Sequence, residues 1–257
     1  MLNKNYLLDK LNNSSEVCYG TWSIIPNTLL IELLSKTEID FIIFDSEHGS
    51  WDLNKVIDCS VVCESQNVSP IMRVSEVQRG QISKVLDMGL HGVQVPNIGS
   101  LQQTKEVINF SKYSPLGLRG FSPYTRACNY SSEFSESMIN LSNENTIVII
   151  HIENFDGVNN IEKILSVESI DIIFLGLFDL SVMLGCPGQI DHPQVIKKFS
   201  QLSEMVLASG KILGSIATNV DQVKYLVDNK VRYLTYSADC QMINDLYQGI
   251  FNNLKRY

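Results

Sequence analysis

The amino-acid sequence predicts an α/β protein built as a single (β/α)8 TIM barrel. Three observations lead to this fold class. The chain has 257 residues, the usual size of one such barrel. Eight short apolar runs alternate with eight amphipathic segments, and no break in composition marks a domain boundary. We therefore expect residues 1–257 to form one domain.

The predicted strands are rich in β-branched and apolar residues, and these residues are continuous rather than alternating. Such runs are typical of parallel strands that are covered on both faces. They occupy residues 17–25, 41–45, 70–74, 92–96, 147–153, 171–176, 211–218 and 231–237.

The segments between the strands carry apolar residues at three- and four-residue spacing, as helices with one buried face do. The first, PNTLLIELLSK, has a proline where the first turn of a helix accepts one, and the last is the amphipathic segment 240–257. A doubly wound sheet is the alternative for such alternating elements. It normally carries a glycine-rich phosphate turn, and neither GxGxxG nor GxxxxGK[ST] occurs in the sequence.

One connection, residues 114–145, is longer than the others. It contains SPLGLRGFSPYTRACNYSS. Its Pro, Gly and Ser content predicts an ordered functional loop or a flexible lid.

Composition narrows the class of partner. The formal net charge of −8 opposes non-specific binding to nucleic acid, which depends on basic surface. No apolar run approaches the roughly 18 residues that a membrane span needs, and the first residues lack the apolar core of a signal peptide. The six cysteines show no CxxC or zinc-like spacing, so we expect buried thiols in a reducing compartment. The expected location is the cytoplasm.

Polar residues gather at the predicted carboxyl ends of the strands, where barrels of this kind carry their chemistry. The second strand, FIIF, runs directly into a cluster of two acids and a histidine. In chain order these residues are Asp45, Glu47, His48, Arg73, Gln94, His151, Glu153, Gly176, Asp179, Thr218 and Asp239.

Glu153 and Asp179 follow neighbouring strands. Each could be the N-cap of the helix that comes next. Together they could instead offer two hard oxygens to one divalent cation, which would keep its other positions for water and substrate.

Arg73 and His48 are the candidate groups for substrate. An arginine within the apolar run IMRVSE needs an anionic partner, and we favour a ligand carboxylate over a structural ion pair. His48, three residues after Asp45, could form an oriented acid–base pair with it, or it could be a capping residue of a turn. His151 could neighbour a metal or fill an inner layer of the barrel, and we favour the second.

The lysines bear on the reaction subclass. A Schiff-base aldolase needs a desolvated lysine on the catalytic rim. Lys211, the one lysine in a predicted strand, opens the seventh strand at the opposite end. A metal ion would therefore have to supply the electrophile.

The sequence resembles the HpcH/HpaI aldolase family of class II pyruvate aldolases. The resemblance rests on an ordered set of segments between about residues 17 and 240: DFIIFDSEHG, PIMRV, LDMGLHGVQVP, SPLGLRG, IIHIEN and DIIFLGLFDLSVMLGCPGQIDHPQV.

The resemblance implies metal-dependent cleavage of a 4-hydroxy-2-oxo acid to pyruvate and an aldehyde, through a metal-stabilised pyruvate enolate. By motif position it assigns Glu153 and Asp179 as ligands of Mg²⁺, Mn²⁺ or Co²⁺ and Arg73 as the contact to the pyruvate oxygen. His48 and Asp45 match the acid–base dyad.

The resemblance also implies an assembly. Asp87, in VLDMG, matches an acid that family members direct towards a neighbouring subunit's site. The family typically forms hexamers with an exchanged C-terminal helix, which residues 240–257 would supply.

Two positions depart from the family pattern. The family often has Gln or Met at His151 and Pro at Leu177. Gly176 is retained, so backbone N–H groups at this point could still hold the substrate carboxylate. The departures bear on substrate range.

Two other functions remain open on the sequence. One is a CoA-thioester lyase of the citramalyl or malyl type, for which Arg119 and Arg126 are the basic pair in the long connection. The other is a barrel that binds a keto acid without turnover.

Overall fold

The computed structural model of the protein describes residues 4–131 and 135–257. Its strands are β1 (Cys18–Ser23), β2 (Phe41–Asp45), β3 (Ser69–Arg73), β4 (Gly92–Val95), β5 (Ile147–Ile152), β6 (Ile172–Leu175), β7 (Ile212–Ala217) and β8 (Tyr233–Ala238). Each pairs in parallel with the next, and β8 pairs with β1 to close the barrel. The predicted TIM barrel is confirmed.

Helices connect the strands and cover the outside of the barrel. They are α1 (Tyr6–Asn13), α2 (Thr28–Ser35), α3 (Leu53–Ser65), α4 (Arg79–Asp87), α5 (Leu101–Ser111), α6 (Glu136–Asn145), α7 (Phe155–Asn159), α8 (Ile161–Leu165), α9 (Leu177–Met183), α10 (Pro193–Ala208), α11 (Val220–Asp228) and α12 (Asp239–Leu254). A single 3₁₀ turn, Arg126–Cys128, lies in the long connection. In the described part of the chain, no helix has the length and apolar character to cross a membrane.

Two apolar cores hold these layers together. The larger lies between the strands and the helices, where apolar residues of β2 are buried in one cluster with residues of α2 and α3. The smaller fills the barrel, where the rings of Phe41 and Tyr233 stack at 4.1 Å. A Cβ at Gly20 would overlap the ring of Phe41, so glycine at this position makes room for the aromatic stack.

Helix α1 closes the amino-terminal end of the barrel and was not predicted from the sequence. Its buried residues Leu7 and Leu11 join the inner core, and the N–H of Leu7 donates to Ser69 Oγ at 3.0 Å. The side chain of Asn5 caps the helix and also donates to the carbonyl of His91. The helix is therefore part of the barrel.

The long connection is more ordered than a loop. The prediction of a loop or lid over 114–145 is wrong at its end, because α6 occupies Glu136–Asn145 with the side chain of Ser135 as its N-cap. Residues 132–134 of the predicted loop lie outside the described residues.

The first strand also ends earlier than predicted. Asp239, at the start of α12, accepts hydrogen bonds from the N–H groups of Ile24 and Ile25 and from Ser23 Oγ. These groups bind a side chain instead of a neighbouring strand, so pairing stops at Ser23. Asp239 is thus a structural link between β1 and α12.

The six cysteines are all free, and five of them are buried as expected. Cys240, on α12, is exposed and departs from the expectation.

Candidate active site

The carboxyl ends of the strands surround a cavity of about 640 Å³. Barrel closure brings together residues that are far apart in the chain, since parallel strands all end on the same side. The lining residues are Trp22, Ile24, Asp45, His48, Arg73, His151, Glu153, Phe174, Gly176, Phe178, Asp179, Ile216, Thr218, Ser237, Ala238, Gln241 and Asp245.

Arg73 is held by two carboxylates and an indole ring. Its Nε and Nη2 atoms donate to the two oxygens of Asp45 at 2.7 and 2.6 Å, and its Nη1 atom lies 2.8 Å from Glu47 Oε2. The guanidinium lies over Trp22, with Cζ 4.3 Å from the ring centroid. The anionic partners of Arg73 in the protein are therefore internal. From the sequence we favoured a ligand carboxylate over a structural ion pair as the partner of Arg73. The structure shows that Arg73 does form structural ion pairs, with Asp45 and Glu47.

The first of the two interpretations of His48, an oriented acid–base pair with Asp45, is not seen as a contact between the two side chains. Asp45 is fully buried, and its carboxylate accepts from Arg73 and from the backbone N–H groups of Glu47 and His48. The arginine fork and the turn occupy the oxygens that the imidazole would need. His48 itself is exposed and borders the cavity with its ring free of a carboxylate partner in the described residues.

Burial raises the pKa of Glu47, although the charge of Arg73 acts to lower it. Two carboxylates thus face one guanidinium. The group as a whole is negative when both acids are ionised, and this charge lies beside the cavity.

Glu153 and Asp179 both approach Gly176 closely. A Cβ atom at Gly176 would be 3.0 Å from Glu153 Oε2 and 3.1 Å from Asp179 Oδ2, so the absence of a side chain leaves a space shared by both oxygens. Burial and the charge of Glu153 raise the pKa of Asp179. Burial alone would raise the pKa of Glu153, but His151, the N–H of Asn97 and Arg73 hold it below its ordinary value.

Neither acid caps a helix. Asn154 caps α7 through its own side chain, and Gly176 precedes α9. The alternative of simple N-caps is therefore excluded. The described residues contain no cluster of three or more His, Cys, Asp or Glu side chains that could hold a metal ion. This acidic pair would hold a cation by two carboxylates, with the remaining positions left for water and substrate.

His151 is a buried inner-layer residue that also contacts the acidic pair. Its Nδ1 lies 2.9 Å from Glu153 Oε2, and its Nε2 lies 2.5 Å from Gln94 Nε2. Gln94 in turn accepts from the hydroxyl of Tyr233 at 3.0 Å. Phe174 stacks on the imidazole at 4.6 Å. This chain of contacts fixes one oxygen of Glu153 in orientation.

Two of the predicted site residues lie away from the cavity. The side chain of Leu177 is buried in the outer core, so a role in binding substrate is left to its backbone. Asp87, the last residue of α4, lies outside the cavity lining and pairs with Arg119 at 2.5 Å. If Asp87 contributes to an active site, that site is in another subunit.

Trp22, Asn97 and Gln241 are among the residues of the site that were not predicted from the sequence. Trp22 is the residue before the last of β1, and its position near a strand end was a usable signal. Asn97 donates its N–H to Glu153 Oε1 at 2.8 Å and adopts a φ of 56°, a conformation that asparagine tolerates. Gln241 lies on α12, and nothing in a helical pattern indicates that its first turn faces the cavity.

Comparison with known proteins assigns the chain to a protein family. A family model described as HpcH/HpaI aldolase/citrate lyase matches residues 19–243. These matched residues span all eight strands of the barrel, and the class they define is that of carbon–carbon lyases. The chain belongs to the HpcH/HpaI aldolase/citrate lyase family.

Individual relatives cover nearly the whole chain. A hydroxypyruvate/pyruvate aldolase from Roseobacter denitrificans (strain ATCC 33942 / OCh 114) is 27% identical over 233 residues, 90% of each chain. A 5-keto-4-deoxy-D-glucarate aldolase from Shigella boydii serotype 18 is 28% identical over 95% of this chain and 94% of the relative. The crystal structure of the citrate synthase SbnG aligns with a TM-score of 0.89 at 28% identity, covering 98% of both chains.

Proposed function

We propose that the protein is a class II aldolase that cleaves a 4-hydroxy-2-oxo acid to pyruvate and an aldehyde, or catalyses the reverse condensation. The observation that carries this proposal is the pair Glu153 and Asp179 beside Gly176, in a cavity that Arg73 and His48 also line. The aldolase names of two relatives support it.

The acidic pair would hold the divalent cation, Mg²⁺, Mn²⁺ or Co²⁺. The donor set fits such an ion because it consists of hard carboxylate oxygens that repel one another when no cation is shared. When bound, the cation supplies Lewis-acid stabilisation of negative charge on the 2-oxo oxygen of the substrate.

Arg73 supplies the second positive charge at this oxygen. Asp45 fixes the plane of its guanidinium through two hydrogen bonds, and Trp22 supports its face. An arginine that is already oriented stabilises developing charge without the cost of reorganisation.

His48 accepts the proton of the C4 hydroxyl as the C3–C4 bond breaks. Its exposed ring at the edge of the cavity can exchange that proton with water. Gly176 and the N–H of Leu177 contact the substrate carboxylate, and His151 acts as a positioning residue for Glu153.

Other family chemistries have less support on this chain. A lyase for citramalyl- or malyl-CoA would use Arg119 and Arg126 for the CoA phosphates. Arg119 is engaged by Asp87, and Arg126 binds Glu64 at 2.5 Å. The similar structure of a citrate synthase keeps a condensation with a larger keto acid among the reactions to assay.

The expected assembly is a homo-oligomer, a hexamer by family resemblance, in the cytoplasm. The exposed apolar face of α12 and the position of Asp87 outside its own cavity support a partner subunit. The six free thiols fit a reducing compartment.

Metal removal tests the proposal. Pyruvate release from 4-hydroxy-2-oxo acids should stop when the purified protein is stripped with a chelator, and Mg²⁺, Mn²⁺ or Co²⁺ should restore it. Glu153→Gln should show the wild-type circular dichroism spectrum, and added metal ion should not restore its pyruvate release. Full turnover by metal-stripped protein would contradict the assignment of Glu153 and Asp179.

A further inference from the structure

We infer that the cavity selects a neutral, hydroxylated aldehyde and disfavours an aldehyde that carries a second carboxylate. The inference rests on the proposed aldolase function and names the substrate class for it. It is carried by the part of the cavity wall formed at the end of β7 and the start of α12, which we call the distal wall and define as Thr218, Gln241 and Asp245.

The distal wall has room for more than pyruvate. The cavity volume of about 640 Å³ lies within the range of sites that hold ligands of drug-like size. The pyruvate half of the substrate occupies the space beside Glu153, Asp179 and Arg73. The aldehyde half is then left with the ends of β7 and β8 and the first turns of α12.

The polar groups of the distal wall suit hydroxyl groups. Gln241 and Asp245 are one turn apart on α12, and Gln241 Nε2 donates to Asp245 Oδ1 at 2.8 Å. This contact fixes one oxygen of Asp245 and leaves the other to accept from a hydroxyl. Thr218 Oγ1 donates to Gln222 and can still accept a hydrogen bond from a ligand.

The charges of the cavity oppose a second carboxylate. The described lining residues include four acids, Asp45, Glu153, Asp179 and Asp245, and one arginine. Asp45 binds that arginine, and a divalent cation would balance Glu153 and Asp179. The charge of Asp245 remains without a cation partner among the described residues.

The basic residues of the long connection do not change this balance. Arg119 is bound by Asp87, and Arg126 is bound by Glu64 and by the carbonyls of Met88 and Gly89. A carboxylate at the far end of the aldehyde would therefore face Asp245 without a compensating charge from the described lining residues. Like charges in such proximity are unfavourable, the more so in a partly enclosed cavity.

A matched pair of aldehydes tests the inference. D-glyceraldehyde and tartronate semialdehyde have the same carbon skeleton and differ at one end, a CH₂OH group against a carboxylate. In condensation with pyruvate at low salt, kcat/KM for D-glyceraldehyde should exceed that for tartronate semialdehyde by about tenfold, the effect of one nearby like charge. The substitution Asp245→Asn should reduce this ratio by about three- to tenfold. Asp58→Asn, an equal charge change at an exposed position on α3, should leave the ratio as it is in the wild type.

Ionic strength separates charge from shape. At about 1 M salt, where the Debye length is about 3 Å, the wild-type ratio should approach that of Asp245→Asn. The inference would be overturned if neither salt nor Asp245→Asn changed the ratio of the two kcat/KM values. It would also be overturned if the wild type used both aldehydes equally well.

A parallel assay with oxaloacetate distinguishes this failure from failure of the proposed function. The second carboxylate of oxaloacetate is the group that leaves at C3 and does not extend to the distal wall. Metal-dependent pyruvate formation from oxaloacetate without the expected aldehyde ratio would overturn the substrate class alone. If the wild-type protein showed neither pyruvate formation from oxaloacetate nor condensation with either aldehyde, the aldolase function and the inference would both be overturned.

Discussion

Arg73 illustrates how the partners of one side chain set the charge of a site. Asp45 and Glu47 both bind its guanidinium, so the local charge is negative when both acids are ionised. Asp45 is buried and makes two hydrogen bonds with the arginine, whereas Glu47 makes a single close contact through Nη1. Asp45 therefore orients the arginine, and the main effect of Glu47 is on the net charge around the guanidinium.

Removing the charge of Glu47 should strengthen the binding of an anion. Glu47→Gln keeps the size of the side chain and an oxygen for Nη1, but it removes one negative charge beside the cavity. We expect the dissociation constant of oxalate, an anion shaped like the pyruvate half, to fall by about three- to tenfold at low salt, the effect of one nearby charge. Isothermal titration calorimetry with the Mg²⁺-loaded protein measures this change.

Glu38→Gln is the matched control, since Glu38 is exposed in the loop before β2. It should leave the dissociation constant of oxalate at the wild-type value. Weaker binding to Glu47→Gln would show that the Glu47 ion pair is needed to orient Arg73, contrary to this account.

The hydrogen-bond partner of Asp45 could not be predicted from the sequence, although its position could. The sequence places Asp45, His48 and Arg73 at neighbouring strand ends, and the cavity brings them together. Which of two neighbours Asp45 binds depends on register: β2 and β3 pair Asp45 directly with Arg73, while the turn carries His48 outwards. Short-range spacing favoured the histidine, and the cross-strand partner prevailed.

Helix α12 has two functions in this account. Its first turns border the cavity, and the rest of the helix exposes an apolar face at three- and four-residue spacing. The residues of this face are Ile243, Leu246, Tyr247, Ile250, Phe251 and Leu254. Leu246, Phe251 and Leu254 are each more than half exposed, an arrangement that favours burial against another subunit.

Charged residues on this face should separate the subunits. In the double variant Leu246→Asp, Phe251→Asp, both changes are at exposed positions, so the barrel should fold while the interface loses apolar area and gains charge. Sedimentation velocity should show a smaller species than the wild type. The double variant Asn252→Asp, Asn253→Asp adds the same charge at exposed polar positions of the helix and should keep the wild-type assembly. An unchanged assembly for the first variant would contradict the proposed role of α12.

The elements differ in how well the sequence predicts them. The strands were predicted because continuous apolar runs recur at regular intervals, and only their ends moved by one or two residues. Helices α1 and α6 were missed because Asn5 and Ser135 are ordinary polar residues until tertiary contacts give them helices to cap. Burial of Leu7 inside the barrel is likewise invisible in a local pattern.

The whole barrel connects these observations. Strand order 1 to 8 brings Glu153 and Asp179 together from adjacent strands and places Arg73 and His48 in the same cavity. The polar strand ends were predictable because parallel strands share one catalytic end. The positions of Gln241 and Asp245 in the distal wall were not predictable, since they depend on how α12 folds back over β8.

The most direct test compares two reactions in three proteins: the wild type, His48→Ala and Glu153→Ala. Aldol cleavage requires removal of the C4-hydroxyl proton, whereas decarboxylation of oxaloacetate has no such hydroxyl. His48→Ala should lose cleavage by about two to four orders of magnitude, as expected for a positioned acid–base group, and keep much of its decarboxylation. Glu153→Ala should lose both activities. Equal loss of both activities in His48→Ala, or cleavage retained by Glu153→Ala, would contradict the account.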